Sequence, residues 1–247
     1  MSTFLSTTCT KNESAELMPL TTDSELALKF YETGVVAFDQ LKLDLAVQNF
    51  EMAVEEDPDF FMSYFWMYII AHKDLKNIAE KALQTKSPLN KAEQQIKKAF
   101  KYLLDGQSEK VVESIQIAID LYPSDPDVHK SLFLLQYFIL KDIEGALKTM
   151  NRAIEERPDF AGTYNYLGYA QMYLEDLDKA EEAFNKYIKL APTLANPYDS
   201  KGDFYMHTEQ YDKAYEHYMK ALEIDSSFME SMKKAKKAKQ LLEKAGN

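Results

Sequence analysis

The residues best suited to metal or proton chemistry are few. His72, His129, His207 and His217 are the four histidines of the 247-residue chain. None stands at a ligand spacing such as HExxH, so each reads as an ordinary helix residue. Carboxylates are abundant but scattered, and no pair stands out as an acid and base couple. Ser and Lys occur without a GxSxG or SxxK context. The glycine in "YNYLGYA", Gly168, follows no strand and opens no phosphate loop. The single cysteine, Cys9, excludes an internal disulfide and a cysteine-built zinc site. Catalysis, metal binding and a cofactor are all without support in these residues.

The elements that carry these residues come next. The chain is 46% hydrophobic and 28% charged, enough apolar material for a sizeable core. With seven Gly and eight Pro and abundant Lys, Glu, Ala, Leu and Met, the composition favours helix. A net charge of −11 argues against a nucleic-acid partner. No apolar run approaches the length of a membrane span.

The words "EEDPDF" and "EERPDF" place Pro58 and Pro158 at equivalent ends of two units. Pro158 and Pro192 lie 34 residues apart, and the same step reaches Ser226. Six units follow at 27–60, 61–91, 92–126, 127–160, 161–194 and 195–228, the second being short. Within them a small residue recurs at position 8 (Gly34, Ala99, Gly168, Gly202) and alanine at position 20 (Ala46, Ala146, Ala180, Ala214). A large residue recurs at position 24 (Phe50, Met150, Phe184, Tyr218). The fourth unit has Leu134 where the glycine is expected. Apolar residues at three- and four-residue spacing give each unit two helices, A and B. The small residues let A and B approach, the position-24 side chain fills space between neighbouring units, and the proline stops helix B. Asn90 with Glu93 reads as a capping box. One such unit cannot bury its own apolar face, so stability must come from stacking.

This pattern resembles the tetratricopeptide repeat, over roughly residues 27–228. The resemblance implies an all-α, right-handed superhelical solenoid. It also implies a non-catalytic scaffold that presents a concave groove to a protein or peptide. Residues 229–247 then form a capping helix, whose six Lys and two Glu (Glu230 and Glu243) give it a charge of +4. Its basic face reads as solvated, with lipid head groups as the sharper alternative.

In the resembled family helix A builds the concave wall. The candidates here are Tyr31, Phe65, Phe100, Asn165, Tyr169, Asp199 and Asp203. The wall is apolar in units one to four and acidic in units five and six, so a ligand with an apolar stretch and a basic end is expected. No Lys or Arg falls at the inward positions, so a clamp for a C-terminal carboxylate is not expected. Residues 1–24 read as a flexible segment. Within it "FLSTTC" resembles the end of a bacterial lipoprotein signal, with Cys9 as the lipidated residue and a membrane tether as the consequence. Together with "NPYDSKGDFYM", it resembles bacterial envelope lipoproteins that carry these repeats. The alternative is a cytoplasmic adaptor in which Cys9 is incidental.

Overall fold

A computed structural model describes residues 16–71 and 73–245. Cys9 and His72 therefore lie outside the described residues. Among the described residues thirteen α-helices follow one another with no strand. They are α1 (Glu25–Asp39), α2 (Leu43–Glu56), α3 (Phe61–Ile70), α4 (Leu75–Gln84), α5 (Lys91–Leu104), α6 (Ser108–Leu121), α7 (Pro126–Leu134), α8 (Ile143–Glu156), α9 (Ala161–Tyr173), α10 (Leu177–Leu190), α11 (Asn196–His207), α12 (Tyr211–Ile224) and α13 (Met229–Ala245). The odd-numbered helices α1 to α11 are the A helices of six successive pairs, α13 follows the last pair as a terminal helix, and each helix packs mainly on its neighbours in sequence. The architecture is an all-α solenoid.

The seam between A and B is set by glycine and an aromatic ring of the same pair. A Cβ on Gly34, Gly168 or Gly202 would lie 2.8, 2.7 or 2.5 Å from the ring of Phe50, Phe184 or Tyr218. Those rings are 0%, 0% and 1% exposed, so they have nowhere to retreat. The position-24 side chain thus covers its own pair's glycine, rather than serving only the space between units. Where position 8 is larger, position 24 is aliphatic: Ala99 with Ile115, and Leu134 with Met150, both buried.

The A-to-B turn has one recurring geometry. Leu41, Lys141, Glu175 and Glu209 adopt φ of 57–59°, and Gly106 adopts 69°. The chain reverses there through a bond from the following residue to the carbonyl five back, as in Lys42 N–H to Ala37 O (2.9 Å) and Asp176 N–H to Gln171 O (3.0 Å). The fourth pair differs. α7 continues as a π-helical stretch, Leu135–Leu140, and its return bond reaches six residues back, from Asp142 N–H to Gln136 O (2.9 Å). The widened turn lets the Gln136 side chain accept from the Thr149 hydroxyl of α8 at 2.7 Å.

The A helices of the first four pairs converge. Lys130 of α7 is 3% exposed and pairs with Asp39 of α1 at 2.8 Å and with Asp127 at 2.7 Å. Its ammonium also lies 5.2 Å from the Trp66 ring. Burial works against that charge, but Asp127 and Asp39 outweigh it and hold the Lys130 pKa above the ordinary lysine value.

Residues 16–24, expected to belong to a flexible segment, instead lie against the solenoid. Met18 is buried in the core of the first half, and its N–H donates to Asp125 Oδ2 at 2.8 Å. The Thr21 N–H donates to Glu93 Oε1 at 2.8 Å.

Candidate functional site

The apolar wall expected in units one to four is largely closed at the residues named for it. Phe65 and Phe100 are 0% exposed, and their rings meet edge to face at 6.3 Å. Tyr31 is 4% exposed, and its hydroxyl accepts from Trp66 Nε1 at 2.8 Å. These three side chains hold α1, α3 and α5 together. The convergence of the A helices has turned these three side chains into core, so they offer a ligand little free surface.

The acidic end is also occupied. Asp199 is 0% exposed and accepts from Ser231 Oγ at 2.6 Å and Lys234 Nζ at 2.7 Å. Lys234 also reaches Asp203 at 2.7 Å, and Asp203 accepts from the hydroxyls of Tyr169 (2.8 Å) and Tyr218 (2.7 Å). Burial pushes the Asp199 carboxyl up, against the pull of Lys234. Burial likewise opposes the Lys234 ammonium, but Asp203 and Asp199 hold its pKa above the usual value. The structure therefore gathers Tyr169, Asp199 and Asp203 around an internal cation. The basic group expected from a ligand is supplied by the chain's own terminal helix, which locks α11 to α13. The lysines of α13 read from the sequence as a solvated face, and their spacing does not single out Lys234.

The open space lies elsewhere, where the first pair meets the last ones. Asn196 Nδ2 donates to the Asp39 carbonyl at 3.0 Å, and Lys42 pairs with Asp225 at 3.0 Å. Between them is a cleft of about 600 Å³, lined among others by Val36, Asn165, Tyr166, Leu194, Asn196 and Phe228. Asn165 and Asn196 are 7% and 4% exposed, and the amide oxygen of each accepts no hydrogen bond. Of the seven wall residues named from the sequence, Asn165 alone lines this cleft. Asn196 went unnoticed because it starts helix α11 rather than sitting at an inward repeat position. Chemically the cleft offers mainly apolar contact, with two asparagines in its wall whose amide oxygens are buried and unpaired. Among the described residues no group of three or more His, Cys, Asp or Glu is gathered to hold a metal.

Comparison with known proteins agrees with this architecture. Two tetratricopeptide-repeat profiles match, over residues 161–194 and 195–228. No curated protein matches the chain. Among solved structures, a thermophilic TPR (tetratricopeptide-repeat) protein of Thermus thermophilus is similar at 17% identity and a TM-score of 0.54. That match covers 86% of this chain and 98% of the other. MamA is similar at 18% identity and a TM-score of 0.43, over 83% and 95% of the two chains. The Cut9–Hcn1 hetero-tetramer of the APC/C is similar at 19% identity and a TM-score of 0.49, over 86% of this chain and 42% of the other. The chain is thus a solenoid that carries tetratricopeptide repeats.

Proposed function

We propose that this protein is a non-catalytic scaffold that binds a segment of another protein in the cleft between its first and last helix pairs. The observation that carries the reading is that Asn165 and Asn196 both line the cleft, each with a buried amide oxygen that accepts nothing. A buried acceptor without a partner costs roughly 1–3 kcal/mol, which a ligand N–H would recover once the side-chain amide turns toward the cleft. The rest of the lining is mainly apolar, as suits a ligand site with a few convergent polar groups. A peptide with an apolar side chain beside a free backbone N–H matches both features.

The test is a peptide-display selection against the full chain, followed by titration of the selected peptides. Asn165→Leu removes one acceptor and is expected to weaken them about tenfold, the effect of one lost hydrogen bond to a buried group. Glu113→Ala, on the exposed side of α6, is expected to leave binding unchanged. Selected peptides that ignore Asn165→Leu would move the site away from the cleft.

For location, our reading is the bacterial cell envelope with Cys9 lipidated, supported by "FLSTTC" and by the resemblance of "NPYDSKGDFYM" and the Lys-rich last helix to bacterial envelope lipoproteins. The alternative is a cytoplasmic adaptor. Cys9→Ser in the native host is expected to shift the protein from membranes to the soluble fraction. A wild-type protein already in the soluble fraction would favour the adaptor.

A further inference from the structure

We propose that residues Leu17–Thr22 are an internal ligand, and that the seat they fill is a second peptide site, adjoining the cleft above, with which its hollow shares Val36, Asp39 and Phe160. The seat takes a partner segment of the same chemistry: two apolar side chains flanking a proline, with a threonine next. It is read out by side chains at the starts of the A helices α5 and α7 and by the C-cap residue of α2. Asp125 accepts the Met18 N–H at 2.8 Å, Asn90 Nδ2 donates to the Pro19 carbonyl at 2.7 Å, and Glu93 accepts the Thr21 N–H at 2.8 Å. The Thr21 hydroxyl donates to the other Glu93 oxygen, and the Thr22 hydroxyl to Asp57 Oδ2 at 2.6 Å. The backbone pattern is donor, acceptor, donor. Proline suits the middle place because it brings an acceptor and no N–H to strand.

Two features separate this arrangement from an ordinary piece of core. First, the seat is built without the segment. Asp125 already caps α7 through the N–H groups of Asp127 (2.8 Å) and Val128 (3.2 Å). Asn90 and Glu93 form the capping box of α5. The receptor atoms are therefore positioned by helix ends that exist whether or not the segment is in place. Second, the segment buries one apolar side chain and does not fill its groove. Of Leu17, Met18, Pro19 and Leu20, only Met18 is buried, and Leu17 is 55% exposed. The groove continues past Leu17 as a hollow of about 400 Å³, lined among others by Val35, Val36, Ser131 and Phe160. A partner segment with apolar residues ahead of the methionine position would occupy both the seat and this hollow, which the internal segment cannot.

A tethered ligand competes at an effective concentration on the order of millimolar, so the wild-type chain masks its own seat. A labelled peptide of residues 13–24 is the probe. Titrated into the full chain, it is expected to bind at least about tenfold more tightly to the Met18→Asp, Leu20→Asp double variant, whose own segment is repelled by the seat carboxylates. Adding Glu93→Gln keeps the capping box and is expected to reverse most of that gain. A folded double variant that fails to bind the peptide would overturn the proposal. If the double variant does not fold, native-state hydrogen exchange on the wild type decides. Met18 and Thr21 amides that exchange well before those of α1 and α5 support a detachable segment. Exchange only through global unfolding makes the segment core and overturns it. A dimer that the peptide does not dissociate would assign the seat to a second copy and also overturn the partner reading.

Discussion

Gly168 has no room for a side chain, because the Phe184 ring would meet a Cβ at 2.7 Å. Gly168→Ala is expected to cost about 1–3 kcal/mol as an overpacked seam. Adding Phe184→Leu makes the pair resemble Ala99 with Ile115 and is expected to recover part of the loss. Thermal melts of the three variants form the cycle, and additive losses would contradict the packing account. Lys234→Met leaves Asp199 buried with only the Ser231 hydroxyl for company and is expected to cost about 3–5 kcal/mol. Converting Asp199 and Asp203 to Asn in the same chain is expected to restore much of it, as denaturant titrations would show. The glycines and aromatics were legible from spacing alone. The role of Lys234 was not, because a lysine-rich helix reads as solvated until the fold places one lysine over two carboxylates.

Helix order, the A-and-B pairing and the stacked architecture follow from the apolar periodicity, since each pair has one face that only a neighbour can cover. The turns were less legible. Four of them place Leu, Lys or Glu in the left-handed region, where glycine would have been the recognisable marker. Glu175→Gly is expected to be neutral or to stabilise by up to about 1 kcal/mol, and Glu175→Val to destabilise by about 1–2 kcal/mol. Melts in the reverse order would place the turn's strain elsewhere. The π-helical stretch in the fourth pair had no signal beyond Leu134 at the glycine position. Glu93 was readable as part of a capping box, but neither it nor Asp125 was readable as the seat of residues 17–22. That second use depends on where the chain's own N-terminal segment runs, and no local spacing encodes it.

At the scale of the whole molecule the chain closes on itself, and this is what the repeat pattern could not reveal. The family pattern implied an open concave wall. The contacts of Lys130 with Asp39, and of Asn196 and Asp225 with the end of the first pair, draw that wall inward and leave the cleft at the junction. Closure also sets a pH dependence. Burial pushes the phenols of Tyr31 and Tyr169 well above their usual value, and Lys234 is held above its own. As pH rises through about 10–11 the unfolded chain releases these protons while the folded chain keeps them. The folded state then binds more protons, so its stability is full below that window and falls as pH rises through it. Melting temperatures at pH 9 and pH 11 are expected to show the loss, and Lys234→Met to lessen it.

Closure is also what the proposed cleft depends on, and one measurement reaches it directly. Two spin labels, attached through Gln40→Cys and Thr193→Cys in a Cys9→Ser background, flank the cleft from its two sides. Pulsed electron paramagnetic resonance on the full chain in solution is expected to give a single narrow population at short distance. A broad population at long distance would mean that the first and last pairs stand apart, and the cleft with its two buried amide oxygens would not exist as a site.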